Sequence, residues 1–387
     1  MTSIEQPLRL GMIGGASGAL IGPVHRRAAA YDGRFVLAAG VLSSDPVRAR
    51  AEGPKVGIAA DRAYGTVEEM LAAEARRPDG IEAVAIVTPN DSHYRFASAA
   101  LAAGLDVICD KPLTNRLAEA LDLADIVART GLVFCLTHNY SGYPMIRQAR
   151  AMVAAGTLGT IRCVQVEYLG SGLAGRVEES PDAHRRWRLD PARSGASLVL
   201  GDIGTHAHQL ASFVLGEAPA RLSAEVGTVV PGRRVSDYAS VRLAFPSGAR
   251  GTLLACQAAT GQENHMLVRV IGEKATLEWR HREHNYLMVS PLEGPTYILS
   301  RGQPQLAPAA KRAARIPRTG HPEGFHEAFA NLYFDAAEAI SARLRGRAAD
   351  PAALDFPNVR DGVRGVRFIE AAVESSARDG AWVECAI

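Results

Sequence analysis

The stretch Gly11–Ala29, GMIGGASGALIGPVHRRAA, continues the apolar run that begins at Leu8 and passes through a glycine-rich segment into a proline-led helical one. A strand, a glycine-rich turn and a helix in that order bring backbone N–H groups and a helix N-terminus together, as binding of a pyrophosphate requires. The spacing departs from G-x-G-x-x-G. Ala16 stands in the place of the second glycine, and three additional residues separate Gly14 from Ile21-Gly22. Gly14 suits the tight turn, and Gly15 and Gly18 permit positive φ and close approach. Gly22-Pro23 is a helix start, because proline at the first helical position gives up no needed donor. Taken alone, the stretch fits a lengthened phosphate loop or a plain glycine-rich turn equally well. As a phosphate loop it bulges at Ser17 and Gly18, whose N–H groups, with the Ser17 hydroxyl, cover the phosphates.

Outward from this stretch, short apolar runs alternate with helical segments as far as about Leu136: RFVLAAGVL, EAVAIVTPN, DVICDKP and LVFCLTHN, with helices between them. Continuous apolar runs of this kind predict parallel strands covered on both faces, a doubly wound α/β half. After Tyr140 and a bridging helix, MIRQARAMVAAG, the texture changes. IRCVQVEYL, YASVRLAF, RGTLLACQ, HMLVRVIG, KATLEWR and NYLMVS succeed one another, with a hairpin-type turn at 246–249. These predict a large, open, mostly antiparallel sheet backed by helices, the last two near 325–345 and 359–378. The boundary is drawn at 139/140, giving an α/β domain over 1–139 and an α+β domain over 140–387.

The 387 residues, 47% hydrophobic, with a net charge of +2 and scattered arginines, predict a soluble chain of two domains and no nucleic-acid partner. No apolar run approaches the ~18 residues of a membrane span and the start has no apolar leader, so no membrane is expected and a cytoplasmic location is. Five separated cysteines offer neither a disulfide framework nor a zinc knuckle and predict buried thiols.

Chemistry-bearing residues gather at the predicted strand ends, where open α/β sheets bind ligands. The second strand ends in Ser43-Ser44 in place of the carboxylate that binds a ribose 2′-hydroxyl. Asp45 before Pro46 reads as a helix cap, and Arg48 or Arg50 could accept a 2′-phosphate. Thr88-Pro89-Asn90, with His93 beyond, and Asp110-Lys111-Pro112 fall at two more strand ends. Lys111 is one of only four lysines; it can hold a substrate hydroxyl and help carry its proton, or be a solvated charge in a turn. In GDIGTHAHQL, Asp202 and His206 share a helix face, where they act as orienter and proton carrier, or else as a cap and a packed histidine. His206 and His208, two apart on a helix, diverge and cannot chelate one metal, so no metal is expected. Trp187 beside Arg188 suits a polyhydroxylated or anionic ligand, and equally a surface loop. His321 and Glu323 lie at a helix start that reads equally as a capping turn.

Together these motifs resemble the Gfo/Idh/MocA oxidoreductases over nearly the whole chain. The family's EKP appears as Asp110-Lys111-Pro112, its DxGxH as Asp202, Gly204 and His206, and its TPN-type strand end as Thr88, Pro89 and Asn90. The resemblance implies a Rossmann domain followed by an open sheet that holds substrate on one side and joins subunits, as a homodimer or homotetramer. It implies NAD, with NADP not excluded, held by Gly14, Ala16, Ser17, Gly18, Ile21, Ser43, Ser44, Thr88, Pro89, Asn90, His93, Asp110, Lys111, Pro112 and Asn139. Lys111, Asp202 and His206 are implied to surround the reacting carbon of a sugar or cyclitol, with Tyr140, Tyr143, Trp187, Arg188 and His321 as further substrate contacts. Three activities follow: oxidation of a secondary hydroxyl; NAD-dependent glycoside hydrolysis through transient oxidation, with acidic sugars suited to Arg185, Arg186 and Arg188; and a non-catalytic dinucleotide sensor, which needs no proton carrier.

Overall fold

The computed structural model describes residues 6–179, 189–191, 193–316 and 318–387. The opening stretch forms β1 (Leu8–Gly14), a turn and α1 (Gly22–Tyr31). β1 pairs in parallel with β2 (Phe35–Val41) on one side and β3 (Ala83–Val87) on the other. β4 (Asp106–Cys109) and β5 (Phe134–Leu136) complete a parallel sheet of order β2-β1-β3-β4-β5. Every residue of β3 and β4 is buried, which is why these strands read as unbroken apolar runs. The connections run through α2 (Pro46–Glu52), α3 (Val67–Glu74), α4 (His93–Ala102) and α5 (Leu117–Thr130). Asp45 caps α2, accepting from the Arg48 N–H at 2.7 Å, and Thr66 caps α3, accepting from Glu69 at 3.2 Å. The strand order turns back between β1 and β3, the switch point where the carboxyl ends part and a ligand crevice forms.

After α6 (Pro144–Ala154) come β6 (Ile161–Leu169), α7 (Thr205–Leu215), and β7 (Arg221–Gly227) to β9 through β8 (Tyr238–Ala244), β9 being Arg250–Cys256. β10 (His265–Gly272), β11 (Ala275–Arg280), β12 (Tyr286–Pro291), β13 (Tyr297–Ser300), α8 (Pro308–Ala313), α9 (Phe325–Leu344), α10 (Val359–Ser376) and β14 (Val383–Glu384) follow. The second sheet has the order β13-β12-β11-β10-β6-β9-β8-β7-β14, antiparallel throughout except for the parallel β6–β9 pair. In β6, Val164, Val166 and Tyr168 are buried whereas Cys163 and Gln165 are exposed, so one face carries the core and the other is open.

The chain forms two compact units: described residues through Thr114, with Ala118–Asn139 and Phe325–Gly362; and Asn115–Leu117, Tyr140–Gly324 and Val363–Ile387. The units part between Asn139 and Tyr140, and α9 belongs to the first of them. Phe329, Leu332, Tyr333 and Ile340 of α9 share one buried cluster with Leu10, Phe35 and Ala83, and Tyr333 Oη lies 2.8 Å from His25 Nδ1 on α1. Helical periodicity announces an apolar face but not the partner that it buries against. The expectation of buried thiols needs a correction too: Cys109, Cys135 and Cys385 are buried, Cys256 partly, and Cys163 is exposed on the open sheet face. No described helix is long and apolar enough to cross a membrane.

Candidate active site

In the first unit, Gly14 and Gly15 take φ of 86° and 80°. A Cβ on Gly14 would lie 2.8 Å from Thr88 Cγ2 and 2.9 Å from the Val87 carbonyl oxygen; one on Gly22 would lie 2.5 Å from Gly15 Cα. The loop backbone thus rests directly on the first turn of α1, and glycine is required on both sides of that contact. This is the tight cradle that a dinucleotide needs at a strand–helix junction. Ala16 donates its N–H to the Leu42 carbonyl at 3.0 Å, and its methyl joins the core, which accounts for alanine in the place of glycine.

Ser17 departs from expectation. Its N–H donates to Glu52 Oε2 at 2.9 Å, and its hydroxyl also bonds that carboxylate. The two Ser17 bonds, with Lys55 at 3.0 Å, hold the Glu52 carboxyl down to about 2. Ser17 is therefore tied back to the end of α2 and does not present its donors outward. Gly18, at φ 87°, has open space around its Cα, and Ile21 packs partly against the core. Ser43 accepts from the Asp45 N–H at 3.2 Å and Ser44 is exposed. Arg50 is committed to both oxygens of Glu69 at 2.7 Å, while Arg48 reaches the Ser17 carbonyl at 3.3 Å.

At the neighbouring strand ends, Thr88 Oγ1 accepts from Ser92 Oγ at 2.8 Å, with Pro89 and Asn90 half-buried beside it. Asp110 Oδ1 accepts from the Lys111 N–H at 2.8 Å and from the Thr137 hydroxyl at 3.3 Å, and the Lys111–Pro112 peptide is cis. His93 needs correction as a cofactor contact. It is fully buried, with Nδ1 2.8 Å from the Pro112 carbonyl oxygen and Nε2 3.0 Å from that of Thr88, so it fastens the two loops from behind. Asn139, 3% exposed, has an Nδ2 with no hydrogen-bond partner among the described residues, a buried donor suited to a carbonyl of a bound cofactor.

In the second unit, Asp202 lies in a π turn, Leu200–Gly204, that runs directly into α7 and His206. Such widened turns recur at functional sites. Asp202 Oδ2 accepts from Gln257 Nε2 at 2.7 Å. The His206 ring stands edge-on to Tyr140, centroids 5.2 Å apart, and 6.1 Å from Tyr168. Tyr140 donates to the Tyr168 hydroxyl at 2.9 Å. Burial pushes the Tyr140 hydroxyl well above its ordinary value and that of Tyr168 to about 12, so both are neutral hydrogen-bonding groups.

The Tyr140 ring also has His281 beside it, edge-on at 5.3 Å. Its Nδ1 lies 3.0 Å from the Asn264 carbonyl oxygen, which can only accept; the proton is therefore on Nδ1, and Nε2 accepts from the Tyr143 hydroxyl at 3.0 Å. Burial lowers the affinity of His281 for a second proton. Tyr143 is 1% exposed and backs this wall through its bond to His281. His208 stacks on Phe368 at 4.4 Å, away from the ring cluster of His206. Among the described residues no group of three His, Cys, Asp or Glu could hold a metal.

The His321 side chain is exposed, and its carbonyl accepts from Arg301. Arg301 also donates to Glu323 at 2.8 Å and to Asn285 at 2.9 Å, so the 318–323 segment is held through its backbone and Glu323 rather than through His321. Trp187 and Arg188, with Arg185 and Arg186, lie outside the described residues. Sequence reasoning missed Tyr168, Gln257, His281 and Arg301. Alternation could have found the first two: Tyr168 continues the inward set of β6, and Gln257 stands two residues beyond inward-facing Ala255.

Residues 8–138 match the model of the oxidoreductase family with an NAD-binding Rossmann fold, and residues 146–278 match the GFO/IDH/MocA C-terminal domain. The chain belongs to the GFO/IDH/MocA oxidoreductase family. This GFO/IDH/MocA chain is 35% identical to the uncharacterized oxidoreductase YfiI of Bacillus subtilis, over 98% of each protein. It is 27% identical, again over 98% of each, to the levoglucosan dehydrogenase of Pseudarthrobacter phenanthrenivorans. It superimposes with a TM-score of 0.90 and 38% identity on the inositol dehydrogenase homolog from Azotobacter vinelandii complexed with NADH and myo-inositol, covering 98% of both chains. GFO/IDH/MocA membership makes the chain an oxidoreductase, with its NAD-binding domain over residues 8–138.

Proposed function

We propose that the protein oxidises a secondary hydroxyl of a cyclitol or sugar, with NAD as the acceptor. The observation that carries this reading is the placement of Asp202 in a π turn that runs directly into the helix of His206, whose ring has those of Tyr140 and Tyr168 beside it. Gly14, Gly15, Gly22 and Asn139 are the residues that would hold the dinucleotide, which when bound supplies a hydride acceptor. His206 takes the hydroxyl proton, because an imidazole is the side chain suited to proton transfer near neutrality. Asp202 sets its environment, and Lys111, the third residue of the family pattern, hydrogen-bonds the substrate oxygen. The aromatic wall suits the C–H faces of a polyol ring, and its hydroxyls suit the rim. The names of the levoglucosan and inositol enzymes support this substrate class.

The test is incubation of the purified protein and NAD with myo-inositol, levoglucosan and a set of simple aldoses, following NADH absorbance. NADH formed in step with ketone or lactone is expected. Release of aglycone from glycosides with no NADH would return the hydrolytic reading, and cofactor binding with no turnover of any polyol would return the sensor.

The open sheet face supports assembly as well. Tyr286, Met288 and Ile298 are 50%, 36% and 60% exposed on the β12–β13 hairpin, more apolar surface than a solitary sheet edge normally leaves uncovered. We propose that a second copy covers it; a sedimentation mass of one 41.1 kDa chain would refute that.

A further inference from the structure

Gln257 follows β9 and donates through Nε2 to Asp202 Oδ2 at 2.7 Å. A carboxylate only accepts, so the amide must turn its NH₂ toward Asp202; chemistry fixes the orientation of the side chain. The opposite atom, Oε1, is buried and has no hydrogen-bond partner among the described residues. Buried acceptors are nearly always paired, and one left over beside a catalytic carboxylate is suited to a donor arriving with a ligand. A second group points the same way. The Tyr168 hydroxyl accepts from Tyr140, so its own hydrogen remains for a further acceptor. Tyr168 is paired in the sheet with Ala255, two residues before Gln257 and on the same inward face. The Tyr168 ring lies 6.1 Å from that of His206, four residues beyond Asp202. An acceptor on Gln257 and a donor on Tyr168 match the two hydrogen-bonding capacities of an alcohol.

We propose that Gln257 is a specificity-determining residue: its Oε1 accepts from the substrate hydroxyl on the carbon adjacent to the one oxidised, selecting vicinal diols over isolated alcohols. The inference rests on the dehydrogenase function proposed above. One side chain then couples the two tasks, since the amide that holds Asp202 also reads the neighbouring hydroxyl. A site built to bond a hydroxyl discriminates strongly against the analogue that lacks it, because its buried partner is left unpaired.

The experiment measures kcat/KM for the best polyol of the panel and for its analogue deoxygenated at the adjacent carbon, in wild type, Gln257→Leu and Gln257→Met. Thermal midpoints and NADH fluorescence titrations confirm that each variant is folded and binds cofactor. The ratio of kcat/KM for polyol over deoxy analogue is expected to fall about 10-fold or more in both variants. Equal losses on the two substrates, which a purely supporting role beside Asp202 would give, overturn the inference, as does an unchanged ratio in either folded variant. Failure of the dehydrogenase reading itself is distinguishable, because wild type would then form no NADH from any polyol.

Discussion

His206→Asn lowers kcat for polyol oxidation by about 10²- to 10⁴-fold, the usual worth of a positioned general acid or base, and leaves NADH binding intact. The size of the effect follows from separating the two particles that leave a carbinol. Under the proposed function a bound dinucleotide would supply the hydride acceptor, which leaves the proton to a group of the protein. His206 is 7% exposed, on a helix whose register is fixed by burial along nearly its whole length, and its ring is flanked by Tyr140 and Tyr168. Asparagine keeps polarity and approximate size but cannot take a proton, so binding survives and chemistry does not. Asp202→Asn is expected to lose less, because its side chain would still accept through oxygen from Gln257. Retention of more than roughly a tenth of wild-type kcat in His206→Asn would remove the residue from the proton path. A matching loss of NADH affinity would show that the substitution disturbs the fold instead.

The parts of this arrangement that local physics dictates could be read from the chain. β3 and β4 are unbroken apolar runs because both faces are covered, and their ends could be marked from Thr88-Pro89-Asn90 and Asp110-Lys111-Pro112 alone. Asp45 had to be a cap once Pro46 followed it. Asp202 and His206 fall in adjoining elements, a π turn and the helix that continues it, where the four-residue spacing predicts a single regular helix. What escaped depends on partners distant in sequence. Glu52 captures Ser17 from 35 residues away, and α9 packs on α1 across some 300 residues. His93 is a polar residue of the right type near the right motifs, and only its burial against the Pro112 and Thr88 carbonyls shows that it acts from behind. The hydrogen-bonding partner of Asp202 required the register of β9, which alternation hints at but the sequence does not number.

Acidification from pH 7 to pH 5 destabilises the fold by about 4 kcal/mol through two buried histidines, about 2 kcal/mol each. Burial holds His25 down to about 4 and His208 to about 3, both well below the ordinary 6.5. Nearby Asp110 partly offsets the effect at His25, and Arg364 reinforces it at His208. Each folded site therefore refuses a proton that the unfolded chain accepts below 6.5. The stabilising contribution is complete above that value and is lost as the pH falls toward 4 and 3. Glu52 and Glu338 act in a different window: both are held down to about 2 and weaken the fold only below about 4.5, so neither contributes between pH 6.5 and 5. Urea midpoints at pH 7 and pH 5, compared between wild type and His208→Leu, measure the share of His208. The leucine variant keeps an apolar contact with Phe368 and should lose about 2 kcal/mol less than wild type over that interval. Because His25 and His208 belong to different compact units, any separation of the two unfolding transitions should place one half of the loss in each. Identical pH sensitivity in wild type and His208→Leu would mean that His208 takes up its proton without unfolding.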